Sequence, residues 1–200
     1  LMFQTLLDKY SHKVIDYSEI TILSCIGKGG TGEVYKMLYN NKPIIGKCFH
    51  MENNYEYSED LVDDVMHELS IYQELNNTKY CCECIGISYL ESKNKNMFIL
   101  LLKDYNVIGD LFDFINNDKY WSKLYKNEVT NELKNREYYY SYKNKHWIYC
   151  LDRSTKINIT KQLCMAIQEL QNKNIVHCDL KTNNILYNSD KNRLVIIDFG

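Results

Sequence analysis

An α+β protein with two unlike halves is what this 200-residue sequence predicts. Three observations carry that expectation. Short runs rich in β-branched and aromatic residues, separated by glycine or asparagine turns, fill the first half to about residue 105 and give about five antiparallel strands. One stretch inside that half repeats its apolar residues every three or four positions, as an amphipathic helix does. Beyond it the strand pattern fades and helical periodicity returns, as at the start of a mainly helical second lobe.

The elements follow in order. Residues 1–18 form a lead-in with some helical character, 19–105 the strand-rich lobe and its exit, and 106–200 the second part. "ITILSCIG" and "EVYKMLY" flank a glycine-rich turn and predict a hairpin. "NNKP" makes the next turn, and "IIGKCF" is a third strand. Ser58 is a candidate N-cap, with Glu59 and Asp60 suited to the positive end of a helix. Leu61, Val65, Leu69 and Tyr72 supply that helix with its apolar stripe. "CIGISYL" and "MFILLLK" read as two further strands, and "GDLFDFI" opens a helix. Residues from about 116 to 153 are polar, rich in Tyr and Lys and weakly periodic. They read as an insertion, partly helical or mobile. A long helix is expected from about Thr155 to Asn172, with Ile159, Leu163, Ile167 and Leu170 as its stripe. Asn174 can end it in the left-handed conformation.

Composition narrows the function classes. A formal net charge of -2 gives no basic field for nucleic acid or an anionic membrane. No apolar run approaches the roughly 20 residues of a membrane-spanning helix, and no leader is visible. The eight cysteines are scattered; Cys81, Cys82 and Cys84 hold a single C-x-x-C without the second pair that zinc needs. Reduced thiols in a cytoplasmic protein are the expectation. Arg136, Arg153 and Arg193 are the only arginines, and with 18 Tyr they suggest an AT-rich coding sequence, as in a protist or a large DNA virus (host cytoplasm, then).

Four local patterns carry chemistry. Gly27, Gly29 and Gly32 form G-x-G-x-x-G with Val34 following, a loop whose backbone amides can approach an anion closely. A strand follows rather than a helix, which disfavours a dinucleotide-binding loop and leaves a plain glycine-rich hairpin as the alternative. Lys47 lies in an apolar strand, and Glu68 on the apolar face of the helix. Each alone reads as a solvated residue; together they read as a buried ion pair. "HCDLKTNN" sets Asp179 and Asn184 five apart with Lys181 between, and "IIDFG" puts Asp198 at the end of an apolar strand. These oxygen donors suit Mg²⁺, which takes few carboxylates plus substrate phosphates.

In this order the motifs resemble those of the eukaryotic-type protein kinases. That family carries G-x-G-x-x-G-x-V, a strand lysine, a helix glutamate, H-R-D-L-x-x-x-N and D-F-G. Here they stand as Gly27-Lys28-Gly29-Gly30-Thr31-Gly32-Glu33-Val34, Lys47, Glu68, His177-Cys178-Asp179-Leu180-Lys181-Thr182-Asn183-Asn184 and Asp198-Phe199-Gly200. The resemblance implies a kinase N-lobe and part of the C-lobe. It implies that the glycine loop covers the phosphates of ATP and that Lys47 pairs with the α- and β-phosphates and with Glu68. It further implies that Asp179 accepts or orients the substrate hydroxyl proton, and that Asn184 and Asp198 hold Mg²⁺. Lys181 matches the lysine that serine/threonine kinases bring to the γ-phosphate. "KDYNVIGDLF" resembles the hinge, with backbone groups near Asp104 and Asn106 facing adenine. Alignment without a gap makes Lys103 the gatekeeper, and a one-residue slip makes it Leu102.

The departures qualify this. Cys178 replaces the arginine of H-R-D, so control through a phosphorylated activation loop is in doubt. Ile45 stands where an alanine packs over adenine, Thr31 replaces an aromatic at the loop tip, and Gly46 loosens the strand. His177 is expected to organise backbone, not to act as a base. The activation segment and A-P-E would follow Gly200, so the chain is expected to be a fragment truncated at D-F-G with little turnover of its own. The implied function is Mg·ATP-dependent transfer to serine or threonine of protein substrates. The alternatives are a pseudokinase that binds ATP or scaffolds, and a kinase-like enzyme acting on a small molecule.

Overall fold

The computed structural model describes residues 13–29, 32–51, 59–92, 95–107, 109–116, 136–141, 146–188 and 191–199. These divide into two compact units. One comprises the described residues up to Asn77, with Cys82–Asp104 and Phe199; the other comprises Thr78–Cys81 and Tyr105–Asp198.

The first unit is a sheet with one helix. Strands β1 (Ile20–Gly29), β2 (Gly32–Tyr39), β3 (Lys42–Met51), β4 (Cys84–Ser92) and β5 (Lys95–Lys103) form an antiparallel sheet in the order β1-β2-β3-β5-β4. Helix α1 (Glu59–Leu75) joins β3 to β4. Asn40 and Asn41 take left-handed conformations (φ 51° and 59°) and so make the tight β2–β3 turn that "NNKP" predicts. The expected stripe faces inward: Val65, Leu69 and Tyr72 are fully buried. The α1 N-cap expected at Ser58 lies outside the described residues.

β3 and β5 are apolar on both faces because each is an interior strand. Phe98, Ile99, Leu100 and Leu101 have no exposed surface, and Cys48 and Met37 are equally buried. Gly46 sits where this packing leaves little room. A Cβ there would lie 2.4 Å from Sδ and 2.5 Å from Cε of Met37, and 3.2 Å from Cγ2 of Ile99. Met37 thus fills the space a side chain at 46 would take. Gly46→Ala is expected to cost about 1–3 kcal/mol by overpacking. Met37→Val should relieve part of that cost, so the double variant unfolds at higher denaturant than additivity of the two single changes requires.

The lead-in behaves differently from its expectation where it is described. Ile15 donates to the Ile87 carbonyl (2.9 Å) and Ile87 to that of Lys13 (3.1 Å), a parallel bridge onto β4. Gly86 permits it, since a Cβ there would meet the Lys13 carbonyl oxygen at 2.4 Å. A 3-10 turn, Tyr17–Glu19, capped by the Asp16 carboxylate, follows. Residues 1–12 lie outside the described part.

The second unit holds helix α2 (Leu111–Asn116), a hairpin of β6 (Arg136–Ser141) and β7 (His146–Leu151), helix α3 (Arg153–Asn172), and a hairpin of β8 (Ile185–Asn188) and β9 (Arg193–Ile196). The 116–153 stretch, read as partly helical or mobile, therefore contains a β-hairpin; residues 117–135 are outside the described part. The three consecutive tyrosines of "REYYYS" show neither strand alternation nor a helical stripe, so periodicity assigns this segment to neither element. Helix α3 starts at Arg153, two residues before the expected position. Asp152 caps it, its carboxylate accepting from the Thr155 amide and hydroxyl, both 2.8 Å. Its buried stripe is Ile159, Gln162, Ala166 and Leu170, turned from the expected one because Gln162 is held inward. Gln162 donates to the Asn192 carbonyl (3.0 Å) and accepts from the Leu194 amide (2.9 Å). Asn174 is left-handed (φ 57°), as expected for the helix end. Among the described residues no helix is long and apolar enough to cross a membrane.

Candidate active site

The glycine-rich turn is a true hairpin. Gly27 pairs with Val34, Lys28 with Glu33 and Gly29 with Gly32; Gly30 and Thr31 at the tip are outside the described residues. Gly32 has φ 154°, and a Cβ there would stand 2.2 Å from the Cys48 carbonyl oxygen. Only glycine lets the hairpin lie so close on β3. The next register position puts Val34 opposite Lys47.

Lys47 and Glu68 meet in the first unit. The ammonium lies 2.8 Å from both Glu68 carboxylate oxygens, with side-chain exposures of 10% and 2%. Lys47 also sits 5.2 Å above the Phe49 ring centroid. The pair exists because an interior strand carries a lysine and the buried face of α1 carries a carboxylate; neither is tolerable there alone.

Glu33 adds a network that sequence reading did not find. Its Oε1 takes the Lys28 ammonium at 2.6 Å, and its Oε2 lies 2.8 Å from both the Tyr35 hydroxyl and His50 Nε2. One carboxylate thus ties β1, β2 and β3 together beneath the hairpin. The Lys28 hydrogen bond foremost, then those of Tyr35 and His50, hold Glu33 at a pKa of about 2. A carboxyl depressed from about 4.5 contributes stability that is fully present above that value and lost as pH falls toward about 2. Glu33→Gln is expected to remove that acid-side dependence and to speed amide exchange at Lys28 and Gly29 at neutral pH. The i, i+2 relation of Glu33 and Tyr35 was legible in the sequence; the approach of His50 needed the β2–β3 register.

The second unit assembles the loop after α3. Cys178 is left-handed (φ 63°) and exposed. His177 is buried, with Nε2 at 3.0 Å from the Ile197 carbonyl. A carbonyl only accepts, so Nε2 carries the proton and Nδ1 is free to face the Asp179 amide at 3.4 Å. Both ring nitrogens are turned to backbone. Asp179 Oδ2 takes the Lys181 ammonium and, at 3.0 Å, Asn184 Nδ2. Asn184 Nδ2 also reaches the Asp179 carbonyl at 2.9 Å. The Lys181 hydrogen bond chiefly draws the Asp179 carboxyl below its ordinary range; desolvation opposes it, and the Lys181 charge and the Asn184 contact add to the lowering. The loop closes through a 3-10 turn, Thr182–Asn184, and the Ile197 amide donates to the Asn184 carbonyl at 3.0 Å. Asp198 follows directly, in a left-handed conformation (φ 66°). Asn183 is anchored by Asp110, 3.0 Å from its Nδ2, a contact no sequence signal revealed.

Phe199 belongs to the first unit. It is 4% exposed and meets the Tyr72 ring of α1 edge-on, centroids 5.4 Å apart. In the expected hinge, Asp104 is half-buried and Asn106 is exposed and left-handed (φ 52°). Of the two gatekeeper positions, Leu102 is buried at 7% and lies opposite Ile45, whereas Lys103 is exposed and its ammonium pairs with Glu83. Desolvation chiefly raises the thiol of buried Cys81 to about 11 and that of half-buried Cys84 to about 12, away from the thiolate form. Among the described residues no three His, Cys, Asp or Glu side chains cluster as a metal site.

The family model of the protein kinase domain matches residues 20–200. The chain belongs to the protein kinase domain family. A serine/threonine-protein kinase/receptor of Acanthamoeba polyphaga mimivirus is 24% identical over 186 residues, covering 93% of this chain and 9% of the relative. The serine/threonine-protein kinase fhkB of Dictyostelium discoideum is 30% identical over 182 residues, 88% of this chain and 12% of the relative. The EKC/KEOPS complex subunit bud32 of the same organism is 26% identical over 191 residues, 95% and 62%. The chain thus spans less than two thirds of the length of these relatives.

Proposed function

We propose that this chain carries the nucleotide-binding and phosphoryl-transfer residues of a Mg·ATP-dependent protein serine/threonine kinase. The observation that carries the reading is the buried Lys47–Glu68 pair, its ammonium within 2.8 Å of both carboxylate oxygens. A charge kept on an interior strand at the cost of desolvation, beneath a hairpin built from glycine, is what phosphate binding requires and what packing alone disfavours.

In this reading the backbone of Gly27–Gly29 and Gly32, with Lys28, Gly30 and Thr31, covers the phosphates. Val34 and Leu102 contribute apolar walls, and backbone groups near Asp104 and Asn106 face the adenine edge. Lys47 holds the α- and β-phosphates while Glu68 fixes its rotamer. Asp179 orients the incoming hydroxyl and takes its proton, being ionised at neutral pH as any aspartate with an ordinary or lowered pKa is. Lys181, held on the same carboxylate, would meet the γ-phosphate.

Asn184 and Asp198 are the residues that would hold Mg²⁺. Their donor chemistry fits: Asn184 Nδ2 is committed to Asp179, so its amide oxygen is the atom to bind a cation, and Asp198 adds one carboxylate. So small a protein ligand set suits Mg²⁺, which takes its other ligands from phosphates and water. When bound, the ion neutralises charge on the phosphates. Serine or threonine as acceptor rests on Lys181 in the loop and on the serine/threonine-kinase names of the relatives.

The pseudokinase alternative draws on Cys178, and on Ile45 over the nucleotide. The test is phosphate transfer from Mg·ATP to a generic protein substrate, followed by identification of the modified residue. Phosphoserine or phosphothreonine is expected. ATP binding without any transfer, by this chain and by a version extended through the activation segment, would move the pseudokinase ahead.

A further inference from the structure

A cavity of about 600 Å³ lies on the second unit, where α3, the β8–β9 turn and the Thr78–Cys81 segment meet. None of its lining residues belongs to the candidate active site. Its floor is apolar: Tyr80, whose hydroxyl is 3.2 Å from Met165 Sδ, and Met165 itself, 52% exposed. Its rim is mainly cationic. Lys79, Lys161, Lys191 and Arg193 line it, and the acidic neighbour Glu169 is bonded to the Lys79 and Tyr80 amides. In a chain of formal net charge -2, four cations around one depression are not the average surface.

The groove is also braced. Asn192, left-handed at φ 49°, accepts at its side-chain oxygen from the Tyr187 hydroxyl (2.7 Å) and from Asn158, and at its carbonyl from Gln162. That fixes the turn presenting Lys191 and Arg193. On the other side, Glu169 accepts from the backbone amides of Lys79 (3.2 Å) and Tyr80 (3.1 Å), and Arg193 donates to the Lys79 carbonyl (3.0 Å). Two buried side chains, a capped helix and an Arg bridge hold both rims. The backbone ordering cost of binding therefore falls mainly on the partner.

We propose that this groove docks an acidic linear segment of a partner protein, with an apolar side chain of the segment on Met165 and Tyr80 and its carboxylates on Lys79, Lys161 and Lys191. Charge complementarity sets the sign of the partner. A nucleic-acid backbone is the lesser fit, because the depression is short and floored by a thioether and a buried phenol rather than lined with further cations. Methionine at the floor accepts varied apolar side chains, which suits recognition of a class of sequences. The proposal stands apart from phosphoryl transfer, since it concerns binding without nucleotide.

The test is fluorescence anisotropy of the full chain, without ATP, against a labelled synthetic peptide of glutamates flanking one leucine. Saturable binding is expected, weakening steeply with salt. Lys161→Glu and Lys191→Glu, both at exposed positions, should each weaken it about tenfold or more, and Met165→Asp likewise, with circular dichroism melts unchanged. A peptide whose leucine is replaced by serine should bind less tightly. Lack of saturable binding overturns the proposal. So does binding that survives all three substitutions, or a single-stranded oligonucleotide that competes more tightly than the peptide. Because no transfer is measured, an inactive chain that still binds leaves this proposal standing and the enzymatic one fallen.

Discussion

Asp179→Asn is expected to lower the rate of phosphate transfer by about 10²–10⁴-fold while ATP affinity changes by less than about threefold. The asymmetry follows from what the side chain touches. Asp179 bonds to Lys181 and Asn184, both in its own loop. The amide that replaces it is nearly the same shape and still accepts a hydrogen bond, so the loop keeps its closure. It cannot take the hydroxyl proton, and it leaves Lys181 without its carboxylate. Rapid-quench measurement of a single turnover, with nucleotide affinity from a separate titration, separates the two effects. An unchanged rate would remove Asp179 from the chemistry; a rate and an affinity that fall together would make the loop merely structural. The pH profile gives a second reading. The Lys181 bond draws the carboxyl below its ordinary range, so any acid limb due to Asp179 lies below the usual carboxylate values near 3.9. Between about pH 5 and 8 this group should contribute no slope.

The sequence made the strand-rich unit readable because there the local signals agree. Glycine or asparagine marks the turns, β-branched residues fill the strands between, and α1 carries an unambiguous stripe. Register and helix face then bring Val34 beside Lys47 and Lys47 onto Glu68. The Asp179–Asn184 spacing was equally legible, since five residues across a tight loop return one side chain to the other. Other features were hidden because they rest on distant partners. The β6–β7 hairpin lies in a segment whose adjacent tyrosines carry no periodicity. The inward turn of Gln162 depends on Asn192 and Leu194, some thirty positions away. The Glu33 network needs His50 from the third strand. The lead-in pairs with Ile87 through Gly86, a glycine whose role no local pattern announces. Sequence order named the motifs; it did not reveal which side chains keep them rigid.

The second large effect concerns the Lys47–Glu68 pair, and it distinguishes what holds the fold from what the fold is for. Glu68→Ala removes a carboxylate that holds an ammonium only 10% exposed. Breaking a buried pair by removing one member costs about 3–5 kcal/mol, so this variant should unfold at markedly lower denaturant. Lys47→Met exposes Glu68 to the same problem; its carboxyl is 2% exposed and would be driven to protonate. The double variant Lys47→Met/Glu68→Leu removes both charges and puts apolar volume in their place. Replacing a buried ion pair in this way is often neutral or stabilising, so the double variant should recover to within about 1 kcal/mol of the parent or exceed it. Its phosphoryl transfer should stay lost, with ATP binding weakened. A double variant that is stable and inactive means that the pair is kept for the phosphates it meets, at a cost to the core that an apolar pair would avoid. A double variant that regains stability and full transfer would mean that the lysine only filled the strand. A double variant as unstable as either single one would mean that the site cannot be repacked, and ATP titration of Lys47→Arg, which keeps the charge on the strand, would then decide whether position 47 contacts phosphate.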